Sequence, residues 1–324
     1  MPREDLIQQH DGLKGVGFRH LSHSLLRAHP PSILHFSNLL RIGSLTVVFN
    51  REKPLAGLMI NGELRWASTV LEDPQGGRIV LWPHLPCVRM PSSLRYRGRW
   101  EGLALLFSLS DLSGWRLDEK QDKESPGVHI EAAIASGTVL GRLMKDLQQY
   151  EVDGPKIPDP EQVRLLLHAD NARGGMPIYA IEPELDDSDW TEWLESSADK
   201  QASISNLLST LTTSRRWNEN RTRAISKVTR NDAVNADMGA AAASCAAWWV
   251  EEQGALTEEL LSQRNTRFAA RLRGALADLL NSRVDDAKAS DCTLLVPVHQ
   301  AWLPSLEAAV RAWPDAEPVS KEER

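Results

Sequence analysis

The chain of 324 residues lacks any apolar run as long as the ~18–20 residues that cross a lipid bilayer. Its first residues, MPREDLIQQHDGLKG, are polar and contain no apolar core, so we expect no secretory signal. Cysteine is scarce: Cys87, Cys245 and Cys292 are far apart and form no Cys-x-x-Cys pair. These absences predict a cytoplasmic protein without a membrane partner, a disulfide framework or a zinc ribbon.

The common signatures of nucleotide and hydrolase sites are also missing. The sequence has no GxGxxG after a strand, no GxxxxGK[ST], no HExxH and no GxSxG. Their absence excludes the standard nucleotide-binding and serine-hydrolase interpretations. An enzyme of another type stays open.

The charge balance argues against a general nucleic-acid partner. There are 37 Lys and Arg residues against 44 Asp and Glu residues, which gives a formal net charge of -7. One basic segment, 215–230, departs from this balance and contains Trp217. It could track a phosphate backbone and stack on a base, or it could neutralise the acidic segment 182–199.

The first third of the chain has the pattern of β-hairpins. Asn61-Gly62 and the stretch Pro74 to Gly77 are typical turn sequences between short apolar or β-branched runs. Those runs predict strands at 44–50, 63–71, 78–85 and 103–111. The charged segment 116–127 has no apolar period and is predicted to be a linker. We therefore expect a β-rich N-terminal region over residues 1–115.

The remainder predicts an α/β domain over residues 128–314 with a long helical insertion. Helical patterns alternate with two continuously apolar runs, 176–182 and 292–298. This rhythm is typical of parallel strands joined by helical crossovers, in which helices cover both faces of the sheet. Residues 315–324 are predicted to form a disordered tail.

The ends of those two apolar runs carry the main candidate site residues. Glu182 is the last residue of the first run, directly after IYAI, and His299 follows the second run. Ligands bind beyond the carboxyl ends of parallel strands, where these side chains could hold a divalent metal or act as general acid and base. Arg264, on the helix that begins after Thr257, could clamp an anionic group, the alternative being a solvated helix face.

Three further features are weaker candidates. His20 and His23 have helical spacing and could be two metal ligands. His84 lies between two prolines in LWPHLP, in a rigid extended segment. Trp248 and Trp249 are adjacent, so they cannot share one helix face, and they could mark a partner or oligomer interface or pack in the core.

The C-terminal part of the chain, about residues 159–313, resembles the TraB/GumN group and the wider erythromycin-esterase/ChaN-like superfamily. The order of parts carries the resemblance: GGMPIYAIE, then LLSQRNTRFAARL, then LLVPVHQAWLPSLEAAVRA. It implies an α/β domain with a pocket at the strand ends, where His, Glu and Arg side chains act, sometimes with a divalent metal. The loop histidine of the family would fall on Trp302, and the N-terminal Gly-Thr-x-His signature is absent. These departures imply a degenerate site, which favours a binding or regulatory role.

Two functions follow from these observations. The first is a metal-assisted hydrolase of a small molecule or peptide, with Glu182 and His299 as metal ligands or acid–base groups and Arg264 as the anion clamp. The alternative is a non-catalytic interaction or regulatory subunit of a bacterial multi-protein system, or a homo-oligomer. Its docking surfaces would be the N-terminal hairpins, Trp248-Trp249 or the basic segment. Convergence of Glu182, Arg264 and His299 in one concave pocket would favour the enzyme.

Overall fold

A computed structural model of the chain describes residues 62–202, 213–282 and 292–322. The first strand of the hairpin predicted at Asn61-Gly62, the strand predicted at 44–50, and the pair His20 and His23 lie outside the described residues. All three therefore stay predictions.

The described strands form one mixed sheet of six strands in the order β1-β2-β5-β3-β4-β6. They are β1 (Thr69–Glu72), β2 (Arg78–His84), β3 (Gly102–Leu105), β4 (Ile178–Ala180), β5 (Thr293–His299) and β6 (Ser320–Lys321). The four central strands run parallel, whereas β1 and β6 pair antiparallel at the two edges. The predicted α/β class is confirmed, but parallel pairing is limited to the centre of the sheet.

The hairpin predicted around Pro74 to Gly77 is present at one edge of the sheet. β1 pairs with β2 from Thr69↔Leu81 to Glu72↔Arg78. Gly76 and Gly77 have φ of 107° and 73°, a region that side chains disfavour. The turn residues therefore set the register of this edge.

Strands from both sides of the predicted domain boundary share this sheet. β2 pairs with β5 along its whole length, from Arg78↔Thr293 to His84↔His299. β5 also lies beside β3, which in turn pairs with β4. The division into regions 1–115 and 128–314 stays a prediction, but the described strands of both belong to one layer.

Nine helices are present within the described ranges. They are α1 (Leu109–Glu124), α2 (Val128–Ala135), α3 (Val139–Leu147), α4 (Pro160–Asn171), α5 (Ser188–Gln201), α6 (Thr213–Ile225), α7 (Ala236–Gln253), α8 (Glu258–Asn281) and α9 (Leu303–Arg311). Most of them begin at a side-chain cap, as α8 does at Thr257, whose hydroxyl accepts from the Leu260 N–H.

The linker predicted at 116–127 is wrong, because α1 continues through most of it to Glu124. Ser108 and Asp111 form a capping box that begins this helix. Arg116 then ties it to Asp170 and to the C-terminal segment at 2.9 Å and 2.8 Å. Helix α1 has no continuous apolar stripe and is held in place by caps and ion pairs. The spacing of its apolar residues therefore could not predict a helix.

Helices cover both faces of the sheet, as the continuous apolar strands predict. Alternate residues of β2 point to opposite sides: Val80 and Trp82 pack in one core, Ile79 and Leu81 in the other. Helices α3, α4, α6 and α7 contribute to the first core, and α8 and α9 to the second. The central strands are therefore the middle layer between two apolar cores, whereas the edge strands β1 and β6 are largely exposed.

The disordered tail predicted at 315–324 is wrong for its described residues. β6 pairs with β4, and the buried guanidinium of Arg271 donates to the Pro318 carbonyl at 3.0 Å. Gly274 of α8 leaves room for this segment, because a Cβ there would lie 1.8 Å from the Glu317 carbonyl oxygen. These contacts join residues distant in the chain, so no local pattern predicts them.

We expect Gly274→Ala to destabilise the protein by about 1–3 kcal/mol, because a methyl group at this position collides with the tail backbone. Urea unfolding measures the loss, and hydrogen exchange should report faster exchange over 317–322. Gly239 is the matched control: it lies in α7, and a Cβ added there would meet no atom within 4 Å. Gly239→Ala should stabilise by about 0.5–1 kcal/mol. Equal stabilisation by both substitutions would contradict the packing of the tail.

Candidate active site

A cavity of about 150 Å³ lies beyond the carboxyl ends of the parallel strands. β5 ends at His299, and the residues just after β3 and β4 include Phe107 and Glu182. All three of these side chains line the cavity. In a parallel sheet these strand ends share one edge, which is why residues distant in the sequence meet there.

The three residues singled out from the sequence all line this cavity. Glu182 comes from the segment after β4, His299 from the end of β5, and Arg264 from the first half of α8. These residues therefore converge in one concave pocket, the arrangement that favours an enzyme over an interaction subunit. The roles given to these residues stay predictions.

Tryptophan dominates the wall of the cavity. The rings of Trp190 and Trp193 stack at 4.5 Å, and those of Trp249 and Trp302 stack at 5.0 Å. The six tryptophans of the wall are Trp115, Trp190, Trp193, Trp248, Trp249 and Trp302. Such a wall offers flat apolar faces to a ligand and lowers the local dielectric around any polar group.

Arg264 is the buried cation of the site. Its guanidinium carbon lies 4.8 Å from the centre of the Trp302 ring and 5.5 Å from that of Trp249. Nη1 donates to Gln253 Oε1 at 2.6 Å, whereas Nε is buried without a hydrogen-bond partner. Burial lowers the pKa of Arg264 to about 10, partly offset by Glu182, so the charge persists at neutral pH. A buried cation with an unused donor is suited to bind an anionic group.

Glu182 is a carboxylic acid with an unusual proton affinity. Burial, together with the negative charge of Asp111, raises its pKa to about 8, although Arg264 and a hydrogen bond from Trp190 act in the opposite direction. Part of its surface stays accessible, and that surface contributes to the cavity lining. At neutral pH Glu182 is therefore largely protonated and can donate a proton, as a general acid must.

His299 is held among aromatic rings. Its ring contacts those of Trp248 and Trp249 edge-on, with centroid distances of 5.4 Å and 5.7 Å. The ring of His84 lies 5.2 Å away from the same imidazole. His299 thus has a fixed orientation at the rim of the strand ends, which suits a residue that accepts or donates a proton.

His84 occupies the position of β2 that is paired in register with His299 of β5. It is completely buried, and its Nδ1 lies 3.6 Å from Asp159 Oδ2. The two strands share a sequence pattern, RIVLWPH and TLLVPVH, in which an apolar run with a proline ends in histidine. This parallel pattern is a signal that could have linked the two histidines from sequence.

Several lining residues were missed or interpreted differently. Trp248 and Trp249, predicted as an interface or core, line the cavity, and Trp248 is only 1% exposed. Asp159 and Gln162 reach it from the start of α4, whose sequence PDPEQ resembles a proline-rich connection. Gln253 reaches it from α7. No local pattern marks these residues, since their role depends on which helix packs against which strand end.

The basic segment 215–230 does not provide a stacking platform. Trp217 is 1% exposed and donates its indole N–H to Asp146. Arg216 pairs with Glu251 at 2.7 Å, and Arg221 pairs with Asp146 at 3.2 Å. Both acids lie outside 182–199, so these two arginines are neutralised by acids other than the predicted ones.

The donor set of the cavity does not suit a divalent metal. A catalytic zinc usually takes three protein ligands, and the described residues contain no group of three or more His, Cys, Asp or Glu arranged to hold an ion. Glu182 is surrounded by Trp190 and Arg264, and His299 by aromatic rings. Asp111 lies near Glu182 and His84 lies near His299, but within the described ranges they do not complete a set of three ligands arranged around one point.

Within the described ranges, no helix is both long enough and apolar enough to cross a membrane.

The comparisons with known proteins give no match: neither a family model, nor a curated protein, nor a solved structure resembles this chain. The resemblance to the TraB/GumN and ChaN-like superfamily accordingly stays a prediction.

Glu182→Gln should change how stability depends on pH. Glu182 has an ordinary pKa of 4.5 in the unfolded chain and about 8 in the folded protein. Between these values the unfolded chain releases the proton that the folded protein keeps, so stability falls as pH rises, by at most about 1.4 kcal/mol per pH unit. Glutamine resembles the protonated acid and lacks this loss.

We therefore expect the free energy of unfolding of Glu182→Gln, relative to that of the unsubstituted chain, to increase from pH 5 to pH 8. Urea titrations at several pH values measure the gap. Glu192→Gln, at an exposed position of α5, is the matched control and should leave the pH dependence unchanged. A constant gap for Glu182→Gln would show that the carboxyl group is ionised throughout.

Mn²⁺, Zn²⁺, Co²⁺ and Mg²⁺ should produce no thermal shift that depends on Glu182 and His299. Binding at a hundredfold excess over Kd would stabilise the native state by about 2.7 kcal/mol, which is readily measured. A shift present in the unsubstituted chain and lost in the Glu182→Ala/His299→Ala double variant would contradict this expectation and restore the metal-assisted mechanism.

Proposed function

We propose that the chain is a metal-independent acid–base enzyme, most simply a hydrolase, that acts on a small anionic organic molecule in this cavity. The observation that carries the proposal is the convergence of a buried cation, a protonated carboxylic acid and an imidazole in one cavity walled by tryptophan. Arg264 binds the anionic group of the substrate. Glu182 acts as the general acid and His299 as the general base.

At neutral pH Glu182 carries a proton and Arg264 carries a positive charge. In hydrolysis of an ester or amide, His299 accepts a proton from the attacking water, and Glu182 donates its proton to the leaving group. Arg264 holds the substrate through its anionic group and fixes it against the tryptophan wall. The low dielectric of the cavity strengthens this attraction, because little water competes with the ligand.

The superfamily resemblance supports two of these positions, Glu182 and Arg264, since it implies Glu and Arg at the strand ends. Its histidine would fall on Trp302, so His299 rests on the geometry of the cavity alone. We also propose a reducing, cytoplasmic location. The three cysteines are all free and buried, as expected for a protein that needs no disulfide.

The interaction subunit receives less support. Two of the three surfaces predicted for docking make contacts within the chain. Trp248 and Trp249 line the cavity, and Arg216 and Arg221 of the basic segment are paired with acids. In the part of the chain that the structure describes, the exposed large apolar residues lie on five separate segments and do not suggest one patch; they are Val70, Leu117, Leu167, Leu185 and Ile225.

The test uses a pair of single-ring esters that differ in charge. Monomethyl terephthalate carries a carboxylate opposite its methyl ester, and methyl 4-methylbenzoate carries a methyl group there. We expect methanol release from the first and much less from the second. His299→Gln and Glu182→Gln should each lower kcat by about 10²–10⁴-fold, the usual contribution of a general acid or base.

Arg264→Met should remove the preference for the charged ester, because the variant keeps the apolar stem and loses the charge. His168→Gln is the control for a histidine outside the cavity and should leave the rate unchanged. The rate of the unsubstituted enzyme should fall above about pH 8 as Glu182 ionises, and Glu182→Gln should lose this fall. Equal rates for both esters in every variant would overturn the proposal.

A further inference from the structure

Two buried polar atoms among the residues that line the cavity have no hydrogen-bond partner. One is Arg264 Nε, which needs an acceptor, and the other is Gln162 Oε1, which needs a donor. Arg264 is 6% exposed and Gln162 is 7% exposed, so bulk water has little access to either. An unpaired buried polar group is costly, and a ligand that satisfies it recovers that cost.

The two residues reach the cavity from opposite sides of the sheet. Gln162 lies on α4, whose Leu165 and Leu166 pack in the core on one face. Arg264 lies on α8, whose Phe268 and Leu272 pack in the core on the other face. The cavity bridges both layers at the strand ends, so a ligand that fills it can meet Arg264 with one end and Gln162 with the other.

The surroundings of the two ends differ in charge. Near Arg264 the groups are a cation, the amide of Gln253 and a protonated Glu182. Near Gln162 lies the carboxylate of Asp159, which caps α4 and accepts from the Gln162 backbone N–H at 3.1 Å. The first end favours an anion and the second favours a hydrogen-bond donor.

The middle of the cavity sets the size and shape of the ligand. A volume of about 150 Å³ matches that of an engineered protein cavity that binds benzene. The stacked pairs Trp190–Trp193 and Trp249–Trp302 supply flat faces for one aromatic ring.

We infer that the ligand of this cavity is a single-ring aromatic carboxylate that carries a hydroxyl or N–H donor at the end opposite its carboxylate. Arg264 binds the carboxylate, the tryptophan wall binds the ring, and Gln162 Oε1 accepts the donor. This inference rests on the proposed function and names the aromatic acid portion of the substrate for the same site; the ester or amide that is hydrolysed is a further substituent of that acid.

Calorimetric binding of three probes to the full chain tests it: 4-hydroxyphenylacetate, phenylacetate and the uncharged 4-hydroxyphenylethanol. We expect 4-hydroxyphenylacetate to bind about tenfold more tightly than phenylacetate, as one added neutral hydrogen bond allows. We expect 4-hydroxyphenylethanol to bind more weakly than either acid. This comparison uses the unsubstituted protein and depends on no variant.

Gln162→Met should abolish the preference for the hydroxylated acid and keep the affinity for phenylacetate. The substitution removes a buried unpaired oxygen, so we expect the variant to fold. Gln148→Met, at an exposed position after α3, is the matched control and should keep the preference.

Equal affinity of the unsubstituted protein for 4-hydroxyphenylacetate and phenylacetate would overturn the inference and leave the proposed function standing. A preference that survives in Gln162→Met would likewise overturn the assignment of Gln162. Failure of both acids to bind more tightly than 4-hydroxyphenylethanol, with no effect of Arg264→Met, would overturn the proposed function and this inference together.

Discussion

Parallel pairing of the central strands decides where the polar side chains of this protein meet. The register of β2 with β5 places His84 beside His299, and β4 leads directly to Glu182 on the same edge. Both faces of the sheet are covered by apolar helices, so the strand ends are where the chain can gather charged groups without opening the core. Helix α8 packs on one face of the sheet, and Arg264 in its first half lines the cavity at the strand ends.

The buried guanidinium of Arg264 is the energetic centre of the cavity. A cation removed from water must be compensated nearby, and here the compensation comes from two tryptophan faces and one amide oxygen. Glu182 interacts with the same charge, but its own burial keeps it largely protonated at neutral pH. The compensation is incomplete because Nε has no acceptor. A site that leaves a cation partly unsatisfied is prepared for an anion.

Local sequence predicted those elements whose formation depends on neighbours in the chain. The hairpin at Pro74 to Gly77, the apolar strand β5 and the helix that begins after Thr257 all follow from turn residues, continuous apolarity and a cap. The same approach missed α1, which is fixed by a capping box and by ion pairs to remote residues. It also missed β6, because pairing with β4 and the bond from Arg271 to Pro318 decide its conformation. The position of β1 and β6 at the two edges was not predicted either, because it depends on which strands become neighbours in the sheet.

The sequence alone predicted three members of the candidate site: Glu182 and His299 from their positions at the ends of apolar strands, and Arg264 as a possible anion clamp on a capped helix, for which a solvated helix face was the alternative. The end of an apolar strand can be recognised from neighbouring residues in the sequence, and the carboxyl ends of parallel strands lie at the same edge of the sheet. Only the tertiary structure decided that tryptophans from α5 and α7 wall the cavity, that Gln162 and Arg264 reach it from opposite faces of the sheet, and that Glu182 keeps its proton. These properties depend on burial and on the distance between remote residues, and neither quantity exists before the helices pack against the sheet.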